Sequence, residues 1–240
     1  MNTQNPSPEE VALLISRRLK KFWGYGNLKG SVWFIGMEEG IGIDEDFPIT
    51  RFQSTDEKEV VDITDNIAED HHRWFQTGAA TQRTWRPLIF ILLYQRLGRV
   101  PSLEEIRDYQ INYFGRRKSD HAILELMPLP ARSLKASDWI YSDVQLNGLK
   151  NRKEYLATYK SERVKLLQAL IEKHQPKVVL FYSRSYMADW QSIVPKLLKE
   201  VIPEKLHVAK ANGTTYAVTA HPVSHGMSTK DWEIIARTIL

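Results

Sequence analysis

The chain has 240 residues, 42% of them hydrophobic and 26% charged, and 33 Lys and Arg against 29 Asp and Glu leave a net charge of +4. That length suffices for one well-buried core, so the expectation is a single domain over residues 1–240. Cysteine is absent, which excludes disulfides, thiolate nucleophiles, Cys-ligated zinc and Cys-held iron–sulfur clusters, and leaves the chemistry to carboxylates, histidines and hydroxyls.

In chain order, Ser7-Pro8-Glu9-Glu10 reads as an N-cap, an N1 proline and a capping-box glutamate. Val11, Leu14, Ile15, Leu19 and Phe22 follow at helical spacing, so an amphipathic helix opens the chain. Gly24 to Gly30 breaks it. Ser31 to Ile35 is a short apolar run that suits a strand buried on both faces, and it ends at Gly36. Residues 41–66 are acidic and aperiodic, with Asp44, Glu45, Asp46, Asp56, Glu57, Glu59, Asp62 and Asp65 read as a solvated surface. Thr81 to Leu97 predicts a helix, and Ser102-Leu103-Glu104-Glu105 caps another. His121 to Leu126 predicts a second strand, stopped by Pro128 and Pro130. A long helix is expected over 151–174, a third strand over Lys177 to Tyr182 and a helix over 186–199. Asn212-Gly213 is a tight-turn signal, so Lys205 to Lys210 and Thr214 to Ala220 should form a hairpin, and Thr229 to Leu240 a last helix.

Strands alternating with helices predict an α/β fold, a three-layer αβα sandwich on a mainly parallel sheet. Such sheets bind ligands outside the carboxyl ends of their strands, which selects the loops after Ile35, Leu126, Tyr182 and Ala220. No run of about 18 apolar residues occurs. Met1 to Asn5 lacks the basic flank and apolar core of a signal peptide, so a soluble, cytoplasmic protein without membrane contact is expected. A sequence pI near 9.1 permits a polyanionic partner without requiring one.

Gly36-Met37-Glu38-Glu39-Gly40, Leu180 to Tyr186 and Thr219-Ala220-His221-Pro222-Val223-Ser224 lie in these loops. In order and spacing, over roughly residues 30–240, they resemble motifs of the uracil-DNA glycosylase superfamily. The resemblance implies that fold, and a monofunctional DNA glycosylase that hydrolyses the N-glycosidic bond of a flipped-out base without a cofactor or metal. DNA is the implied partner, and no obligate protein partner is evident. By carry-over, Glu38 holds the attacking water beneath the sugar C1′ and His221 stabilises the departing base at O2. Glu39 replaces the motif's usual proline, so either acid can be the principal one. Val223 replaces the usual serine, which leaves Ser224 beside Ser183 and Ser185 for phosphate contacts. His225, Gly226 and Met227 stand where members insert a wedge into the duplex, and Met227 is either that wedge or a surface side chain. Phe52 and Phe47 are the candidates for stacking on the base, Phe52 being nearer the family's spacing.

Glu125 falls where uracil-specific members carry an asparagine. An ionised glutamate only accepts, which fits the N4 amino group of cytosine better than O4 of uracil, unless Glu125 is a salt-bridged core residue. Gly40 stands where the strictest uracil enzymes carry a tyrosine that blocks C5 substituents. Together they imply a C5-modified cytosine, a base typical of some phages, and hence antiviral defence. Uracil or another deaminated base is one alternative, and a catalytically silent DNA-binding member of the superfamily is another. Basic clusters at Arg17-Arg18-Lys20-Lys21, Arg83 with Arg86, and Arg116-Arg117-Lys118 are either phosphate contacts or wet helix faces. Glu69-Asp70-His71-His72 has no spaced third ligand, so no metal is expected there.

Overall fold

The structure, a computed structural model, describes residues 6–42, 47–66, 69–133 and 135–240. The helices are α1 (Pro8–Lys21), α2 (Ile49–Ser54), α3 (Ile63–Asn66), α4 (Trp85–Leu97), α5 (Leu103–Asn112), α6 (Arg152–His174), α7 (Met187–Ile193) and α8 (Thr229–Ile239). The strands are β1 (Gly24–Gly26), β2 (Val32–Gly36), β3 (Val60–Val61), β4 (His121–Glu125), β5 (Val178–Tyr182), β6 (Lys199–Ile202), β7 (Leu206–Ala211) and β8 (Thr214–Thr219). Asp44, Glu45 and Asp46 of the acidic loop lie outside the described residues, as do the side chains of Glu69, Asp70 and His71.

The strands form one sheet in the order β3-β1-β4-β2-β5-β8-β7-β6. Its four central strands, β4, β2, β5 and β8, are parallel. Side-chain alternation divides the core in two. Trp33, Ile35, Val179 and Phe181 face α1, α6 and α7, whereas Val32, Phe34, Val178 and Leu180 face α4, α5 and α8. Helices therefore cover both faces of a sheet whose central strands are apolar between their ends. The predicted hairpin is present: β7 and β8 pair antiparallel, with Ala211 opposite Thr214. Asn212 and Gly213 turn it at φ 53° and 80°, the left-handed pair that a two-residue turn of type I′ requires. Capping boxes at Ser7–Glu10 and Ser102–Glu105 start α1 and α5.

The structure departs from the sequence reading at both edges of the sheet. The helix expected over 186–199 is a 3₁₀ turn at Arg184–Tyr186 followed by α7, which stops at Ile193. Pro195 disfavours helical geometry for the residue before it, and Val194 is extended at φ −81°, ψ 127°. Lys199–Ile202 then pairs with β7 as an edge strand. The break at Gly24 contains β1, antiparallel to β4. Gly24 and Gly26 have φ 147° and 96°, and a Cβ on either would collide with the carbonyl oxygens of Ile123 or His121.

Two arginines expected on wet surfaces, or not singled out at all, are instead structural. Arg18 is buried, donates to Pro128 O at 2.9 Å and Thr55 Oγ1 at 2.6 Å, and its guanidinium lies 3.8 Å from the Phe22 ring centroid. Arg17 pairs with Asp56 at 2.8 Å and Lys21 with Glu57, so the basic cluster on α1 is largely neutralised within the molecule. Arg163 of α6 is 1% exposed. Its guanidinium donates to Leu126 O at 2.8 Å, Phe22 O at 2.9 Å, Glu125 O at 3.2 Å and Leu19 O at 3.4 Å, and lies 3.4 Å from the Trp23 ring centroid. Desolvation pulls its pKa down to about 9, which still leaves it charged at neutral pH. It ties the end of α1 and the end of β4 to α6.

Candidate functional site

The carboxyl ends of the central strands open into a cavity of about 500 Å³. Glu38, Glu39 and Gly40 after β2, Glu125 at the end of β4, Ser183 and Ser185 after β5 and His221 after β8 all line it. These are loops and strand ends that the parallel-sheet rule selected. The β2 and β4 loops continue pairing beyond the strands: Leu126 N donates to Gly36 O at 2.9 Å, Met127 N to Met37 O at 2.7 Å, and Ala131 N to Glu39 O at 2.9 Å. The backbone carrying the two acids is thus held by strand-like pairing, with Glu39 rather than a proline at that position.

Three carboxylates meet here, each with different company. Both Nε and Nη2 of Arg152 donate to Glu38 Oε1, at 3.0 and 2.6 Å, while Glu38 Oε2 is buried without a hydrogen-bond partner. Desolvation raises the Glu38 pKa and Arg152 works against that rise. Glu39 Oε1 accepts from the Tyr25 hydroxyl at 2.9 Å and lies 3.1 Å from Arg51 Nη1. Among the described residues, no cation pairs with the Glu125 carboxyl. Its Oε1 accepts from the Tyr182 hydroxyl at 2.9 Å and its Oε2 is buried and unpartnered. Burial first, and the neighbouring Glu39 and Glu38 charges after it, raise its pKa well above the ordinary carboxylate range, with Tyr182 opposing. Two of the acids face arginines, and the third faces only a phenol.

Gly36 makes the Glu125–Tyr182 contact possible. It sits on β2 opposite Glu125, between the strands that carry the two side chains. A Cβ there would run into Glu125 Oε2 and the Tyr182 hydroxyl, closer than real Cβ atoms come. Gly36→Ala is expected to break this hydrogen bond and to cost about 1–3 kcal/mol of stability by overpacking, measured by denaturant unfolding.

His221 is half-buried, and desolvation lowers its pKa, so the ring is neutral at pH 7. Val223 N donates to its Nδ1 at 3.4 Å, which puts the ring hydrogen on Nε2 and makes that atom a donor. Ser183 has φ 135°, a conformation rare outside glycine. It is held by Ser183 N donating to Thr219 O at 3.1 Å and Trp190 Nε1 donating to Ser183 O at 2.8 Å. Backbone strain over-determined by its surroundings is a feature of functional loops.

Phe52 and Phe47 do not line the cavity. Phe52 is 1% exposed in the core, stacked on Tyr141 with centroids 6.3 Å apart, and Phe47 packs edge-on against both rings. The aromatic side chains on the cavity wall are instead Trp85, Tyr25, Tyr182 and Tyr186. Trp85 opens α4, where sequence periodicity marked it only as a helix residue. Arg152, also missed, is the first residue of α6, and no local pattern links it to Glu38, 114 positions earlier. Ser224 and His225 are exposed in the turn beyond His221. Met227 packs partly against the core and lines a neighbouring groove with Pro222, Val223 and the exposed Arg83 and Arg86. Of the third basic cluster, Arg116 is committed to Asp62 at 3.2 Å and Ile111 O at 2.7 Å.

Among the described residues there is no group of three or more His, Cys, Asp or Glu side chains able to hold a metal ion, and His72 is exposed. No described helix is long and apolar enough to cross a membrane. No protein-family model and no curated protein matches the chain.

Proposed function

We propose that the protein is a DNA glycosylase with a uracil-DNA glycosylase-like fold, acting on a flipped-out pyrimidine, with C5-modified cytosine as the substrate and phage DNA as its source. The observation that carries this reading is the convergence of Glu38, Glu125 and His221 on one cavity from three strand ends spread over more than half the chain. In this reading Glu38 Oε2 takes a proton from water as it adds to C1′, and the carboxylate offsets positive charge on the sugar. His221 Nε2–H donates to O2 of the leaving base, and its neutrality keeps it a donor rather than a competing acid. Trp85 and Tyr186 supply aromatic surface on the cavity wall in place of Phe52 and Phe47. Arg83 and Arg86, beside the turn that bears Met227, are suited to phosphates of the same duplex.

Two features favour a base enlarged at C5. The cavity exceeds what a single pyrimidine fills, and a Cβ built on Gly40 meets nothing within 4 Å. The ionised-acceptor argument for cytosine changes, however. A protonated Glu125 donates as well as accepts, so it also satisfies O4 and N3–H of uracil, and this supports a uracil-type base as the second reading. Duplexes carrying uracil, cytosine and C5-substituted cytosines, with released bases identified by mass spectrometry, decide between them. Release of uracil alone would overturn the cytosine assignment, and release of nothing would leave a DNA-binding protein without catalysis.

Arg152→Ala removes both interactions that oppose the rise in the Glu38 pKa. A base must be ionised, so activity is lost as pH falls through that pKa. The acid limb of the rate profile is therefore expected to move to higher pH in the variant, read from single-turnover rates across pH.

A further inference from the structure

We infer that Glu125 is the acid of the reaction as well as a reader of the base: its Oε2–H protonates N3 of the flipped cytosine while the C1′–N1 bond breaks. The inference rests on the glycosylase reading and adds a step to it. Geometry carries it first. Glu125 Oε1 is engaged by Tyr182, while Oε2 has no partner and sits over the bare backbone of Gly36 on the cavity wall. The carboxyls of Glu38 and Glu39 each have an arginine, and that of Glu125 has only a phenol. Of three acids sharing one site, the one without a cation keeps the proton.

Cytosine presents an acceptor at N3 beside a donor at N4. A neutral carboxyl matches that edge, with Oε2–H on N3 and Oε1 using its second lone pair for N4–H. The leaving group gives this pairing a consequence. Cytosine has one carbonyl over which to spread an N1 anion where uracil has two, so its anion is the poorer leaving group. Proton transfer from Oε2 to N3 lets the C1′–N1 electron pair enter the ring as a neutral cytosine departs. Water adds its oxygen to C1′ and gives its proton to Glu38. Transfer of that proton back to Glu125 after product release restores the starting enzyme, so no other reactant is needed.

The groups facing Glu125 set the pH at which it acts. Tyr182 from β5 and the Glu38 and Glu39 charges from the β2 loop act on its carboxyl, Arg163 of α6 holds its backbone carbonyl, and Tyr25, Arg132, Tyr186 and His221 line the same cavity. Deprotonation of Glu125 turns the rate off as pH rises, and protonation of Glu38 turns it off as pH falls, so the profile is a bell whose apparent values belong to the cluster.

The test uses phage DNA with C5-substituted cytosines and measures base release under single turnover across pH. Glu125→Gln keeps a donor and an acceptor but has no acid to give. It is expected to retain DNA affinity and the wild-type unfolding transition, to lose about 10²–10⁴-fold in rate and to lack the alkaline limb. Tyr182→Phe removes the hydrogen bond that favours ionised Glu125, so its alkaline limb is expected at higher pH. A Glu125→Gln enzyme that releases cytosine within tenfold of wild type, or keeps the alkaline limb, overturns the inference and leaves the glycosylase reading standing. No release by wild type either from this DNA or from a uracil-bearing duplex overturns both.

Discussion

Glu38→Gln is expected to lower base release by about 10²–10⁴-fold while DNA binding stays close to wild type. The amide oxygen can still accept from Arg152, so the position of the side chain is preserved. In the proposed glycosylase reading, what disappears is the negative charge beneath C1′ and the atom able to take a proton from water. Glu39→Gln is the control. Its carboxylate is already occupied by Tyr25 and Arg51, and the change is expected to cost far less. Single-turnover assays with both variants on one substrate, alongside binding measured by fluorescence anisotropy, separate the two acids. A larger loss at Glu39 would transfer the water-activating role to it.

The largest effect on stability is expected at Arg163. Truncation to Ala leaves up to four backbone carbonyls, those of Leu19, Phe22, Glu125 and Leu126, without their guanidinium donor. Each buried polar group left unsatisfied costs about 1–3 kcal/mol, so at least about 3 kcal/mol is expected even if water reaches some of them. For a chain of this size that corresponds to a Tm lower by roughly 6–12 °C in calorimetry. Arg163→Lys keeps a charge but not the planar fork that reaches both chain segments, and is expected to recover only part of the loss. Activity should fall too, because the carbonyl of Glu125 is one of the four acceptors.

The fold was legible in the sequence wherever one element could be recognised from its own residues. The capping boxes, the apolar runs of β2, β4 and β5 and the Asn212-Gly213 turn each carry a local signal that the structure reproduces. The misses have a common cause. Gly24-Tyr25-Gly26 and Val60-Val61 are too short for periodicity, and they are strands only because neighbours supply their hydrogen bonds. Lys199–Ile202 continues a helical pattern that Pro195 had already ended. In the candidate site, Glu38, Glu39 and His221 follow strands and Glu125 ends one, and the motif resemblance at those strand ends singled out the same four. Arg152, Tyr182 and Trp85 act through contacts with residues far away in the chain, and no local pattern announces them. Phe52 was misplaced because spacing along a loop does not say which way α2 turns. Arg51 of that helix points to Glu39, while the next residue enters the core.

Gly40 has a consequence for how such a protein changes over generations. Its backbone avoids the left-handed region and a Cβ there would point into open space, so a side chain can start there without backbone strain or a Cβ collision. Folding imposes no vote on this position. Mutational drift can narrow the cavity with one large residue and reopen it with the next substitution, each in a single codon change, while Gly36, two strand repeats away, tolerates nothing but hydrogen. In the glycosylase reading proposed above, the group admitted beside the base can be revised at residue 40 while Glu38, Glu125 and His221 stay as they are.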